Sequence, residues 1–176
     1  MEDDLLFERV RQKAFRLLSL RPRSEKELRA KLKERGFASS VVDRVVVYLL
    51  ERGYLNDSSF AIQWARNLAV NRLLGNRRIE MSLRERGVPG ALIGEAIATA
   101  REEISEREAI GRLIRKRVKG RRIADLNDKE LRRLGKSLVG KGFPPGLVFE
   151  MLEREGEECL PHDESGGYQG EFFEIF

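Results

Sequence analysis

The sequence predicts an all-α protein built from three tandem three-helix repeats, about nine helices in all. A motif of two apolar residues four apart, followed four residues later by glycine, occurs three times, and no stretch alternates apolar and polar residues as a half-buried strand would. The composition agrees, because 41% of the residues are hydrophobic and only 7% are aromatic. A core of aliphatic side chains and alanine suits helices better than sheets.

The recurring glycines are Gly36, Gly87 and Gly142, which lie at nearly equal separations. Apolar residues four apart that end at a glycine are typical of an amphipathic helix closed by a residue in the left-handed conformation. A basic residue precedes each glycine, and we expect it to bind the last carbonyls of its helix in preference to a partner. These basic residues are Arg35, Arg86 and Lys141.

In the first repeat, apolar residues at helical spacing predict an opening helix that ends before Pro22. Ser24 and Glu27, three residues apart, predict a capping box at the start of the second helix. Valine pairs beyond Gly36 predict the third helix. The expected helices cover residues 5–19, 24–35 and 39–52.

The second and third repeats show the same order of caps and breaks. Asn56 and Asp57 predict the start of a helix that carries Trp64 on its apolar face, where we expect core packing in preference to stacking on bases. Asn127 with Glu130 predicts a cap for the helix that follows. The expected helices cover residues 57–73, 76–86 and 89–100, then 104–119, 127–140 and 145–155.

These elements divide the chain into four parts. Residues 1–53, 54–102 and 103–156 are the expected repeats, and residues 157–176 are expected to form a flexible acidic tail. The tail contains six acids and neither lysine nor arginine, and it ends in an aromatic segment. Its removal is not expected to unfold the protein.

The charge is unevenly distributed along the chain. The formal net charge is +5, and all 34 lysines and arginines precede the acidic tail, so the helical body is much more basic than the whole chain. A basic body indicates a polyanionic partner or a partner with an acidic surface. A solvated, highly charged helical surface is the alternative.

Three groups of basic residues are candidates for contact with such a partner. The densest, the 115–122 cluster, has six cations in eight positions, and their mutual repulsion favours an anionic partner over a merely solvated face. A second group lies near the start of the fifth helix, and a pair lies in the eighth. The candidates are Arg115, Lys116, Arg117, Lys119, Arg121 and Arg122; Arg72, Arg77 and Arg78; and Arg132 and Arg133.

Reactive groups are sparse, and we expect no catalytic residue, no metal ligand and no cofactor. His162 is the only histidine and Cys159 the only cysteine, which excludes a metal site with several histidines and an intramolecular disulfide. No apolar run approaches the roughly 20 residues that span a bilayer. We therefore expect a cytoplasmic, non-enzymatic monomer that does not bind membranes.

The sequence resembles the RecX family of bacterial regulators of the RecA recombinase over about residues 11 to 155. Residues 53–61 (GYLNDSSFA) carry the most specific likeness, supported by residues 23–28 (RSEKEL) and 32–37 (LKERGF). Asn56 stands where the family usually has aspartate, and the acidic, aromatic-ended tail departs from the family pattern. Asparagine caps a helix as well as aspartate does, so the first departure changes little.

The resemblance implies an elongated, curved array of three-helix units that lies in the groove of the RecA–single-stranded-DNA filament. It also implies a protein that limits filament extension, ATP hydrolysis, strand exchange and the co-protease activity of the SOS response, and so acts in recombination and DNA repair. Direct contact with DNA is expected from the charge. A general DNA- or RNA-binding helical module without RecA specificity is the alternative, and an enzyme such as a nuclease is the least favoured.

Overall fold

The computed structural model describes the backbone of residues 2–157 and the side chains of residues 3–155. Within that part of the chain, nine α-helices are present, as predicted, and there are no strands. None of these helices is long and apolar enough to cross a membrane. Residues 158–176, which include Cys159, His162 and nearly all of the expected tail, lie outside the described part. The helices are α1 (Glu2–Leu20), α2 (Glu25–Lys33), α3 (Ser39–Glu51), α4 (Asp57–Arg66), α5 (Asn76–Glu85), α6 (Gly90–Glu103), α7 (Glu106–Val118), α8 (Asp128–Gly140) and α9 (Pro145–Glu157).

Two compact units are formed by the chain. Unit 1 comprises Met1–Arg72 and Ile79–Glu103, and it contains α1–α4 and α6. In its first three helices, the apolar faces predicted from the sequence meet in one core, where residues such as Val10, Leu28 and Leu32 are fully buried. Burial of these faces is what makes short helices such as α2 stable, since helices of this length are marginal in isolation.

Unit 2 comprises Leu73–Arg78 and Ile104–Phe176, and its described part contains α7–α9. Its buried side chains include Ile110 and Ile114 of α7, Leu138 of α8 and Phe143 at the turn before α9. Phe143 is only 2% exposed. The aromatic residue after the third repeat glycine is therefore a core residue of unit 2.

One helix differs from its prediction. The expected helix 57–73 is α-helical only to Arg66 and continues as a π-helical turn over Asn67–Asn71, after which Leu73 adopts the left-handed conformation with φ 50°. The π turn buries Leu68 and Ala69. Apolar spacing within a single turn cannot distinguish a π turn from an α turn, and the sequence therefore did not reveal this change.

The predicted caps are mostly present. Asn127 and Glu130 cap α8, as predicted, and together they form a complete capping box. Ser24 accepts a hydrogen bond from the Glu27 backbone at 3.1 Å, but the Glu27 carboxylate pairs with Arg21 instead of closing the box. The prediction of a full capping box at α2 was therefore wrong in this half, because an arginine outside the helix provides a charged partner for Glu27.

Within unit 1, the N-terminus of α2 is held by residues of the second repeat. The Ser24 hydroxyl, whose residue is fully buried, donates to the Arg86 carbonyl at 2.5 Å. The Glu25 backbone N–H donates to the Asp57 carboxylate at 2.8 Å. Both bonds use groups that a helix end leaves unsatisfied, so they join the repeats and cap helices together.

Within unit 2, the N-terminus of α5 is held in the same way. The Gly75 backbone N–H donates to the Lys141 carbonyl at 3.0 Å, and the Asn76 N–H donates to the Glu106 carboxylate at 2.8 Å. Lys141, like Arg86, immediately precedes a repeat glycine, and Glu106, like Asp57, is the first residue of its helix. The tandem repeat is thus visible in hydrogen bonding as well as in the order of helices.

Candidate functional site

The 115–122 cluster lies at the C-terminal end of α7 and in the loop that follows. Arg115, Lys116 and Arg117 form the last turn of the helix, where their charges oppose the negative end of the helix dipole. Lys119 then adopts the left-handed conformation with φ 50°, which ends the helix. All six cations of the cluster are exposed to solvent.

Two arginines of the cluster have acidic partners. Arg121 pairs with Glu130 at 2.8 Å, and Arg122 pairs with Asp125 at 3.0 Å. The hydrogen bond from Arg121 lowers the pKa of the Glu130 carboxyl, and the bonds from Arg122 lower that of Asp125. Since these pairs cancel part of the charge, the cluster is less positive than its six cations suggest.

The remaining four cations of the cluster have no salt-bridge partner among the described residues. These are Arg115, Lys116, Arg117 and Lys119. The Arg117 charge also contributes to the lowered pKa of Glu130. The free positive charge therefore lies on the last turn of α7 and its cap.

The second predicted group is found around the start of α5. Arg77 and Arg78 are exposed, lie in the first turn of that helix and form no salt bridge within the described part of the chain. Cations at this end face the positive pole of the helix dipole, which disfavours them. Their position is thus unfavourable for the isolated helix. Arg72 is exposed and follows the π turn of unit 1.

The third predicted group, Arg132 and Arg133, lies in the first half of α8. Both side chains are exposed, and neither has an acidic partner among the described residues. All the predicted contact residues except Arg72 belong to unit 2.

Trp64 packs into the protein, as the sequence predicts. Its ring stacks on Phe60 with centroids 5.8 Å apart, and its indole N–H donates to the Ser82 hydroxyl at 3.1 Å. The Arg86 guanidinium lies over the ring at 4.0 Å and donates to the Ser82 carbonyl at 3.1 Å. The predicted helix-end role of the base before the glycine is therefore confirmed for Arg86.

One candidate group was missed by the sequence reasoning. Arg9, Lys13 and Arg16 of α1 and Arg35 of the turn after α2 line a common pocket in the first repeat. The predicted groups consist of bases that lie close together in the sequence. The bases of this pocket are instead three or four positions apart on α1, and Arg35 lies much further along the chain. The signal that could have revealed them is the helical spacing of the three α1 bases on one face.

The described residues do not form a metal-binding site. Among the residues that the structure describes, no three histidine, cysteine, aspartate or glutamate side chains are grouped so that they could hold a metal ion. The site consists instead of exposed guanidinium and ammonium groups at helix ends, in the loop after α7 and in the first half of α8.

Tandem three-helix units with exposed cationic surfaces define a helical-repeat protein. Residues 11–54 match the family model of the first three-helix domain of RecX, and residues 56–97 match that of the second. The regulatory protein RecX of Streptomyces coelicolor is 33% identical over 155 residues, which cover 86% of this chain and 81% of that protein. That of Mycolicibacterium smegmatis is 29% identical over 151 residues, which cover 84% and 80%. The chain belongs to the RecX family of regulatory proteins.

Solved structures share the fold. A crystal structure of RecX from Lactobacillus salivarius superposes with a TM-score of 0.73 at 19% identity, covering 85% of this chain and 96% of that chain. A crystal structure of another regulatory protein RecX also gives a TM-score of 0.73, at 22% identity, covering 87% and 74%. At such low identities the likeness extends to the fold alone.

Proposed function

We propose that this protein regulates the RecA recombinase by binding the RecA–single-stranded-DNA filament in its groove. Binding limits filament extension and thereby reduces ATP hydrolysis, strand exchange and co-protease activity. The protein acts in the cytoplasm as a monomer, through binding and without a cofactor or chemistry of its own. Membership of the RecX family supports the regulatory role.

The observation that carries the proposal is the set of cations without partners on unit 2. The Arg115, Lys116 and Arg117 side chains project from one helical turn, whose backbone is already ordered by hydrogen bonds, so little backbone freedom is lost when they bind. Cations that have no carboxylate partner are available to neutralise phosphates and release counterions. A nucleoprotein polymer supplies such phosphates along its length, and a repeat protein offers an extended surface.

The deciding experiment measures DNA-dependent ATP hydrolysis by RecA with increasing, sub-stoichiometric amounts of this protein. We expect inhibition well below one molecule per RecA, since a molecule that stops extension affects many subunits. Binding to bare DNA is measured in parallel at rising salt. Tight binding to bare DNA without any effect on RecA would instead identify a general nucleic-acid-binding module.

A triple variant tests the surface itself. Replacement of Arg115, Lys116 and Arg117 by alanine should weaken filament binding and reduce its salt dependence, with a slope smaller by about 2 if each cation contacts one phosphate. The fold should be retained because all three side chains are exposed.

A matched control removes the same charge from cations that already have acidic partners. Lys31 pairs with Glu34, and Arg84 and Arg107 each pair with a glutamate on the surface. The control variant should keep the wild-type slope. Equal slopes for the two variants would show that the 115–122 cluster acts only through net charge. The control substitutions are Lys31→Ala, Arg84→Ala and Arg107→Ala.

A further inference from the structure

The first repeat contains a basic pocket that lies far along the chain from the 115–122 cluster. The pocket has a volume of about 360 Å³ and is open to solvent along α1 and the turn after α2. Four of its six lining residues are cations and none is a carboxylate. The lining residues are Arg9, Gln12, Lys13, Arg16, Arg35 and Phe37.

Among the described residues, the four pocket cations form no salt bridge, whereas several other cations of the same repeat do. Arg29 pairs with Glu25, and Arg11, Arg21, Lys31 and Arg44 also have acidic partners. None of the four pocket cations has a salt-bridge partner in the described part of the chain. Four like charges that converge on one concavity repel each other, and an anion placed there relieves the repulsion.

Helix geometry arranges three of these cations in a row. Arg9, Lys13 and Arg16 lie three or four residues apart on α1, so they share one face. Arg9 and Arg16 are separated by seven residues, or about 10 Å along the axis. That length is enough to contact more than one phosphate of a single strand. The row is therefore suited to a linear polyanion more than to a single small ion.

Arg35 and Phe37 complete the pocket from the other side. They flank Gly36, whose φ of 82° turns the chain sharply after α2. Phe37 packs partly against the core of the repeat and leaves part of its ring in the pocket. A fixed aromatic edge beside a row of cations is the combination that holds a base while the backbone is neutralised.

We propose that this pocket binds the phosphate backbone of a single-stranded nucleic acid, with Phe37 against a base or sugar. The site goes beyond the filament regulation proposed above, because it concerns bare nucleic acid and lies in another unit. An acidic polypeptide would also bind the cations, but it has no base or sugar to pack against the aromatic edge of Phe37. Three arginines out of four cations also favour phosphate, whose oxygens they bind in pairs.

The test uses the full chain and a short fluorescein-labelled oligothymidylate, with binding followed by anisotropy at several salt concentrations and no RecA present. Arg9→Ala combined with Arg16→Ala should reduce affinity at least about tenfold and lower the salt slope by about 1.4, or 0.7 per lost phosphate contact. Both side chains are exposed on the middle of α1, so the variant keeps its fold. Arg9→Lys with Arg16→Lys should restore the slope.

The control variant, Lys31→Ala with Arg84→Ala, removes two charges from existing ion pairs and should retain the wild-type slope. Equal losses in the two variants would overturn the proposal. Competition by poly-glutamate that equals competition by unlabelled oligothymidylate at the same charge concentration would also overturn it, and would identify the pocket as a site for acidic polypeptides. Neither outcome depends on whether RecA is inhibited, so this site and the regulatory function fail separately.

Discussion

Gly75 is the position where a single added methyl group should disturb the fold most directly. A Cβ there would lie 2.3 Å from the carbonyl carbon and oxygen of Gly142 and 2.4 Å from the backbone nitrogen of Phe143. Backbone atoms cannot rotate away as a flexible side chain would, so α5 and the turn before α9 must separate. Separation also stretches the 3.0 Å hydrogen bond from Gly75 to the Lys141 carbonyl.

We therefore expect Gly75→Ala to lower the free energy of unfolding by about 3 kcal/mol, the upper part of the usual range for overpacking. The matched control is Gly94→Ala in the middle of α6, where an added Cβ meets no atom within 4 Å. That substitution should raise stability by about 0.8–1 kcal/mol, because alanine restricts the unfolded chain and favours helix.

Urea unfolding followed by far-UV circular dichroism measures both changes. Trp64, the only tryptophan, belongs to unit 1, so its fluorescence reports the unfolding of that unit. Gly75 belongs to unit 2, so the loss of stability in Gly75→Ala should be larger when measured by dichroism than by fluorescence. If Gly75→Ala were as stable as the wild type, the close approach of the two backbones would be refuted. A loss of similar size in Gly94→Ala would show that glycine-to-alanine changes are harmful regardless of space.

Four further substitutions test the caps and the charge. Ser24→Ala should cost about 2–4 kcal/mol, because it removes a cap and leaves the Arg86 carbonyl without its partner, whereas the exposed cap variant Asn56→Ala should cost about 1 kcal/mol in the same urea experiment. Burial raises the pKa of the Asp57 carboxyl above its ordinary value of 3.8, so its ionisation opposes folding as the pH rises from 3.8 through the raised pKa. Asp57→Asn should therefore gain stability relative to the wild type across that pH interval, and a constant difference in unfolding free energy would contradict the shift. Glu130→Gln keeps the capping box but frees its arginine partner, so it should tighten nucleic-acid binding and steepen the salt slope by about 0.7–0.9, as titration of a labelled oligonucleotide at several salts would show.

The helices could be predicted because their signals are local. The third helix was expected at residues 39–52 and is observed at Ser39–Glu51, and the eighth was expected at 127–140 and is observed at Asp128–Gly140. Apolar spacing, caps and glycine stops are all read within one or two turns of the chain. The resemblance of residues 11 to 155 to the RecX family is confirmed by the matches to the two RecX domains and by the identity with the Streptomyces coelicolor protein.

The joints between repeats could not be predicted, because they depend on residues far apart in the chain. The Ser24 hydroxyl donates to the Arg86 carbonyl, 62 positions away in the chain, and the sequence around neither residue predicts that bond. The glycine at 75 reads as an ordinary helix breaker, although the structure requires it for close packing. The same limit explains the pocket, where Arg35 joins Arg9 only after α1 and α2 have folded together.

The structure also shows which of the basic residues are neutralised by acidic partners and where the unpaired ones lie. The 115–122 cluster loses part of its charge to Asp125 and Glu130, while four unpaired cations gather in the first repeat, where the sequence shows no dense run. If both proposed sites bind phosphates, each site alone would contact only a few of them and would bind weakly at physiological salt. A polymer that reaches both sites gains affinity because its second contact is intramolecular, whereas a ligand that reaches one site has no such gain. A helical-repeat protein with two separate cationic sites is therefore expected to select long polyanions over short ones, and equal affinity per phosphate for short and long single strands would show that the sites do not act together.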